Sequence, residues 1–298
     1  MRAKLLERRT GRLRPGLDDK VLADWNGLMI AALAHAAPLL DRPDWIGLAA
    51  RAYRFIRHAM SRDGRLGHSW RGGALVFPGF ALDQAAMMRA ALALYEATGE
   101  PAYLRDVETW RDGLFADYMV AATGSLAMTA RGADPLVVRP QPTHDDAVPN
   151  ANGVFAEAMV RLAQITETPD DLERASGVLD RIVGMAGSVP LGHASILNAL
   201  DLHLRGLSIL VTGPDADALF DAALKVPYPD RTVRRLRADE VLDEHHPARA
   251  LAASGPGARA LVCAGMRCSL PVADADGLRA TVAEMLAPER SRGVTGRA

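Results

Sequence analysis

Residues 17–34, LDDKVLADWNGLMIAALA, gather Asp18, Asp19, Lys20, Trp25, Asn26 and Gly27 at the start of an apolar helix. A helix start that faces only water needs one capping residue. The surplus is expected on the inner rim of a cavity. Paired acids can exchange protons there, and an aromatic face can stack on a ring. Two more clusters have the same character. Asp83 begins a later helix, preceded by a Gly-rich loop with His68 and Trp70. His144, Asp145, Asp146 and Asn152 lead into a third. Each group also has a purely structural reading. Asp18 and Asp19 with Lys20 could be ion pairs, Trp25 a core anchor, and Asn26 before Gly27 turn chemistry. Asp83 could be an N-cap, His144–Asp146 a solvated loop, and Asn150 and Asn152 caps.

The elements that would position these residues are helices. Leu22, Leu28, Met29, Ala32, Leu33 and Ala36 keep helical spacing, with Asp24 the expected N-cap and Pro38 near the end. Further helices are expected at about 45–60, 82–98, 102–115, 154–166 and 171–185. Three breaks, LLDRPDW, EATGEPAYL and QITETPDDL, carry Pro43, Pro101 and Pro169 at matching places. Proline suits a first helical turn, where its missing N–H would be unpaired. A helix hairpin followed by a long loop, repeated around a ring, fits this rhythm. After residue 190 the texture changes. A helix at 192–204 precedes expected strands at 207–212, 232–236 and 259–264 and helices at 217–224 and 276–286. The expected fold is mainly α: a partial (α/α)6 toroid at 1–205, a small α/β appendage at 206–288 and a disordered tail at 289–298.

Composition narrows the function classes. The 298 residues are 49% hydrophobic and 24% charged, with a net charge of -1. Near neutrality leaves no footprint for nucleic acid or an anionic membrane. Cys263 and Cys268 cannot staple a secreted scaffold, and no signal peptide or membrane span is apparent, so a cytoplasmic location is expected. A single continuous strand would put these cysteines on opposite faces, and Gly265 suggests a turn. They form no CxxC pair. His245 and His246 beside Glu240, Asp243 and Glu244 lack the HExxH spacing, so no metal is expected. No phosphate loop or GxSxG elbow occurs, and no cofactor is expected.

Four ordered blocks carry a family resemblance: RLRPGLDDKVLADWNGLMIAALA, FPGFALDQAAMMRAALALYEATG, VVRPQPTHDDAVPNANGVFAEAMVRL and ALVCAGMRCSLPV. Together they resemble YyaL-type, thioredoxin-domain-containing proteins across nearly the whole chain. The resemblance implies a toroid similar to N-acylglucosamine 2-epimerases and other six-hairpin, glycosidase-like proteins. In the family a thioredoxin-like domain precedes that toroid. Here neither that domain nor its CxxC pair is found, so thioredoxin activity is not expected. Where the family has Asp-Asp-Tyr-Ala, this chain has Leu82-Asp83-Gln84-Ala85. Where it has Asp-Gly-Ala-x-Pro-Ser-Gly-Asn, this chain runs from Asp145 to Asn152 without the Gly, Ser and Gly.

The resulting expectation is a carbohydrate-binding or carbohydrate-active toroid fragment, epimerase-like or glycosidase-like, taking a sugar or polyol. Asp18, Asp19, Asp83, His144 and Asp145 are the expected catalytic groups. Lys20, Trp25, Asn26, His68, Trp70 and Asn152 are the expected binding groups. Asp18, Asp83 and Asp145 are expected to meet at one lip. The alternative is a non-catalytic half-domain completing its ring with a second copy or with a chain that carries the thioredoxin-like domain.

Overall fold

The computed structural model describes residues 1–134, 137–187, 189–237, 240, 246, 248–252, 257–265 and 267–287. A short helix, α1 (Arg2–Thr10), buries none of its residues. Three helix hairpins follow. α2 (Ala23–Leu39) pairs with α3 (Asp44–Ala59), α4 (Ala81–Thr98) with α5 (Ala102–Gly113), and α6 (Ala151–Thr166) with α7 (Pro169–Ala186). A fourth inner helix, α8 (Ala194–Arg205), closes the row. α2 packs on α4, α4 on α6, and α6 on α8. α4 and α6 are buried nearly all round, whereas α3, α5 and α7 bury one stripe. That contrast separates an inner from an outer helical layer.

Small residues set the spacing of the inner row. A Cβ on Gly27 would lie 2.7 Å from the backbone of Ala86, and one on Gly153 would lie 2.1 Å from Ser195 Oγ. Pro43 and Pro101 stand immediately before α3 and α5, and Pro169 is the first residue of α7. The outer helices therefore start where the prolines place them.

The segments leading into α2 and α4 carry short strands. β1 (Val21–Leu22) pairs with β4 (Ser69–Arg71), which pairs with β5 (Ala74–Val76), while β2 (Ser61–Arg62) and β3 (Arg65–Leu66) form a separate hairpin. After α8 come β6 (Leu207–Thr212), α9 (Asp217–Leu224), β7 (Arg231–Arg235), α10 (Ala248–Ala252), β8 (Arg259–Ala264), β9 (Arg267–Cys268) and α11 (Ala275–Leu286). The sheet order is β7-β6-β8-β9, parallel only between β6 and β7. One apolar core runs from Ala23 to Leu202 and another from Leu207 to Val282. The architecture is thus a partial toroid of helix hairpins with a small sheet region at its C-terminal end. No helix among the described residues is long and apolar enough to cross a membrane.

Several local expectations are corrected. Asp24 does not cap α2. The Ala23 amide is taken by the His68 carbonyl at 2.9 Å, and Asp24 sits inside the first turn. α2 continues through Pro38 to Leu39, because a proline in the last turn costs only one hydrogen bond. α6 starts at Ala151, with the Asn150 side chain accepting from the Gly153 amide. The helix expected at 192–204 begins instead as a 3-10 turn, Pro190–His193. Cys263 and Cys268 are directly opposed on antiparallel β8 and β9 and form a disulfide. The strand turns back at Gly265, so the rule for one continuous strand does not apply. Asp243, Glu244 and His245 and the tail at 289–298 lie outside the described residues.

Gly27 offers a test of the inner row. Gly27→Ala would press a methyl into the Ala86 backbone, which has no side-chain freedom to yield. The expected loss is about 1–3 kcal/mol, read as a lower urea midpoint with an unchanged slope.

Candidate functional site

The N-terminal ends of α2, α4, α6 and α8 are linked in turn, through side chains and the loops before them, along one end of the inner row, the mouth. Asp83, in the first turn of α4, has no exposed surface. Its Oδ1 accepts from the Asp24 amide at 3.0 Å, and its Oδ2 accepts from the Phe80 amide at 2.7 Å. His68 Nδ1 lies 3.2 and 3.1 Å from the same two oxygens. One side chain therefore gathers the start of α2, the start of α4 and the β3–β4 connection. Gly79 lets the loop pass over it, since a Cβ there would lie 3.0 Å from Asp83 Oδ2. Tyr118 fixes that loop by donating to the Gly79 carbonyl at 2.7 Å, and Gln84 donates to Tyr118.

A carboxylate only accepts, so the proton between it and His68 sits on Nδ1. Nε2 is then the nitrogen free for proton transfer. The hydrogen bond to Asp83 raises the His68 pKa above its ordinary 6.5, against a smaller opposing effect of burial. Asp24 is buried beside this pair, and its Oδ1 accepts from the Trp25 amide at 2.8 Å. Burial, and then the nearby charge of Asp83, raise its pKa above the usual carboxylate value. The site thus holds a histidine and an acid whose proton affinities are both strengthened, as general acid/base work requires. Ligand atoms of Asp24, His68 and Asp83 all lie within 4.8 Å of one another. That spacing could also hold a divalent cation, but a cation on Nδ1 would have to displace the proton that joins His68 to Asp83.

The rim carries most of the other expected residues. Trp25 is 59% exposed at the start of α2. Trp70 is half-buried on β4, opposite Val21, and packs edge-on against Phe55 at 5.3 Å. Asn26 turns inward to donate to the Leu22 carbonyl at 2.8 Å. Asp18 and Lys20 pair with each other at 3.4 Å, and Asp19 pairs with Arg71 at 2.5 Å, all exposed.

The third cluster is a separate knot. Asp145 accepts from the Asn150 amide and side chain at 2.9 and 2.7 Å, and from the Ser195 amide and hydroxyl at 2.8 and 2.6 Å. Burial opposes ionisation, but these donors outweigh it and hold the carboxyl below its ordinary pKa. Asp145 therefore ties the start of α6 to the start of α8. Asn152 is buried, accepting from the Leu126 amide at 2.7 Å and donating to the Pro142 carbonyl at 2.9 Å. His144 is exposed and stacks edge-on with His193, and Asp146 is exposed. The structure joins Asp83 to His68, and Asp145 to Asn150. The partner that sequence reasoning did not select is Asp24. Its only signal was its place in the block it shares with Trp25 and Asn26. Tyr118, Gln84 and Ser195 carried no comparable signal.

The fold and this mouth define the class: a partial (α/α)6 toroid with a small C-terminal sheet region. No protein-family model matches the chain. It is similar to human Spermatogenesis-associated protein 20, 28% identical over 93% of this chain and 38% of that protein. It is also similar to uncharacterized protein B0495.5 of Caenorhabditis elegans, 24% identical over 89% of this chain and 38% of that protein. The chain thus spans well under half the length of these relatives. Among solved structures, the GH76 alpha-mannanase BT2949 of Bacteroides thetaiotaomicron aligns with a TM-score of 0.52 at 15% identity. That alignment covers 70% of this chain and 57% of the mannanase chain.

The His68–Asp83 contact predicts a pH signature. The folded pKa of His68 is raised, so its stabilisation is fully present below about 6.5, the unfolded value, and fades as pH rises through the folded value. The stability advantage of the wild type over His68→Gln, measured in urea from pH 5.5 to 8.5, is expected to shrink as pH rises. Asp83→Asn should return the His68 titration, followed by NMR, toward 6.5.

Proposed function

We propose that the mouth is a carbohydrate site that moves protons on a bound sugar, in the manner of an epimerase or isomerase. The observation that carries this reading is the contact of His68 Nδ1 with buried Asp83, with Asp24 alongside. In this reading His68 Nε2 and Asp24 act as acid and base, and Asp83 is a positioning residue. Trp25 and Trp70 offer faces on which a sugar ring can stack. Lys20, Asp18 and Asp19 stand on the outer rim, where they would meet hydroxyl groups.

An inverting hydrolase needs two carboxyl groups about 6.5–9.5 Å apart with a water between them. Asp24 and Asp83 are closer than that, and the Asp83 oxygens already accept from two backbone amides. Proton transfer at one centre therefore fits better than inverting hydrolysis. The mannanase fold supports the carbohydrate class. The similarity to Spermatogenesis-associated protein 20 supports placing the chain beside the YyaL-type, thioredoxin-domain-containing proteins.

A second reading, docking of a partner, rests on α2. Its sequence is mainly apolar, yet Trp25, Met29 and Leu39 are exposed at 59%, 59% and 44%. With Ala32 they form one stripe at helical spacing. An inner helix of a ring would cover such a stripe with its neighbour. The cover could come from a second copy of this chain or from a chain that carries further hairpins and the thioredoxin-like domain.

Two experiments separate the readings. Mannose, glucose, N-acetylglucosamine and cellobiose are incubated with the protein in deuterated water, and label at C2 is followed by NMR. Catalysed exchange is expected for at least one sugar, falling by roughly 10²–10⁴-fold in His68→Gln. Absence of both exchange and calorimetric binding across the panel would refute the enzymatic reading. For the docking reading, light scattering is expected to show concentration-dependent association that Met29→Glu abolishes. A monodisperse monomer at high concentration would argue against it.

A further inference from the structure

At the other end of α6 and α8 from the mouth lies a cleft of about 530 Å³. That volume falls within the usual range for small-molecule sites. Val160 and Ala163 of α6 and Leu172 and Ala175 of α7 make an apolar wall, and the Cys263–Cys268 disulfide lies opposite. Few polar groups interrupt it. Gln164 donates through Nε2 to the Leu202 carbonyl at 3.3 Å, while its buried Oε1 has no hydrogen-bond partner among the described residues. Glu167 ends α6 with a left-handed backbone, φ 53°, and also lines the cleft, its Oε2 buried. Ser208 is engaged with the Gln164 carbonyl at 3.4 Å, and His203 is exposed at the edge.

The balance of this lining is one-sided. Among the described residues, the buried side-chain atoms of this lining that make no hydrogen bond, Gln164 Oε1 and Glu167 Oε2, are both acceptors. Among the described residues, Arg234 of β7 and His246, whose Nε2 is 3.2 Å from Oε2, face Glu167 without lining the cleft. Arg234 is itself shared with Glu240 and the Ile165 carbonyl. A ligand that complements this cleft needs an apolar body and donors at one end. An anionic head would meet the carboxyl unfavourably.

We propose that the cleft binds a small amphipathic amine, its body against Val160, Ala163, Leu172 and Ala175 and its ammonium toward Glu167 and Gln164. The site is independent of the mouth and of the reaction proposed there. Burial pushes Glu167 up to about 7, against Arg234 and then a hydrogen bond from Ser208, which lower it. Ammonium binding should therefore strengthen as pH rises through that value and the carboxyl ionises.

Three probes with one indole body and different heads test this by isothermal titration: tryptamine, tryptophol and indole-3-propionate. On the wild type at pH 8, tryptamine is expected to bind at least about tenfold more tightly than tryptophol, a difference of about 1.4 kcal/mol. Indole-3-propionate is expected to bind most weakly. Glu167→Gln, which keeps the size of the side chain, should bring tryptamine down to tryptophol. A filled cleft in Ala175→Phe should remove binding of all three. The proposal is overturned if none of the probes binds the wild type, if the acid binds best, or if Glu167→Gln leaves the order unchanged.

Discussion

Asp83 is a fully buried carboxylate, and what surrounds it decides the shape of the mouth. A buried charge survives only where hydrogen-bond donors replace the water it has lost. Here the donors are backbone amides at the starts of two helices and an imidazole from the loop between them. Helix N-termini also present the positive end of the helix dipole, which favours an anion at this place. The requirement runs both ways. Asp83 is satisfied only if α2, α4 and the His68 loop are together, and they are held together because they satisfy Asp83. The orientation of the His68 imidazole is thus a by-product of a packing constraint, and it needs no separate device.

The other inner-helix starts solve the same problem with different residues. α6 is stitched to the loop before it by Asn152 and capped by Asn150, and Asp145 binds Asn150 and Ser195 to bridge α6 and α8. Each start is a distinct polar lock, not a copy of one motif. The mouth can therefore be rigid at its back while exposing different chemistry around its rim. At α2 the rim is aromatic, and before α6 it carries exposed His144, edge-on to buried His193 of the turn before α8.

These differences explain what the sequence could tell and what it could not. α4 and α6 were legible as long, mainly apolar runs at helical spacing, because a helix buried nearly all round carries few polar residues. The outer helices were legible from Pro43, Pro101 and Pro169, because proline acts on the residues next to it. The strands at 207–212 and 259–264 were legible as short β-branched or apolar runs. The site was only half legible. Asp83 and His68 stood out as polar residues in apolar or Gly-rich surroundings, yet their pairing spans a loop that no local pattern encodes. Asp24 was hidden because its spacing suits a cap, and the cap position is set by a carbonyl in a different loop. The two cysteines show the same limit, since a turn between them inverts what strand alternation alone would say.

The small sheet region is joined to the helices by charges rather than by a continuous apolar seam. Arg161 of α6 is buried and pairs with Glu157 at 3.0 Å, and it donates to the carbonyls of Arg231 and Pro229 at 2.9 and 3.1 Å. Glu96 of α4, also buried, accepts from the Val233 amide at 3.0 Å. Burial raises the Glu96 pKa, with Arg161 and then Arg231 acting against it. Apolar contact would tolerate a sliding sheet, because one methyl group can replace another. A guanidinium that must meet particular carbonyls cannot slide, since a shift of one residue would strand a buried charge. The sheet is therefore fixed in register against the helical row. Because α6 carries Arg161 on that junction, Asn152 at the mouth and Val160 beside the far cleft, a single rigid helix sets the positions of all three.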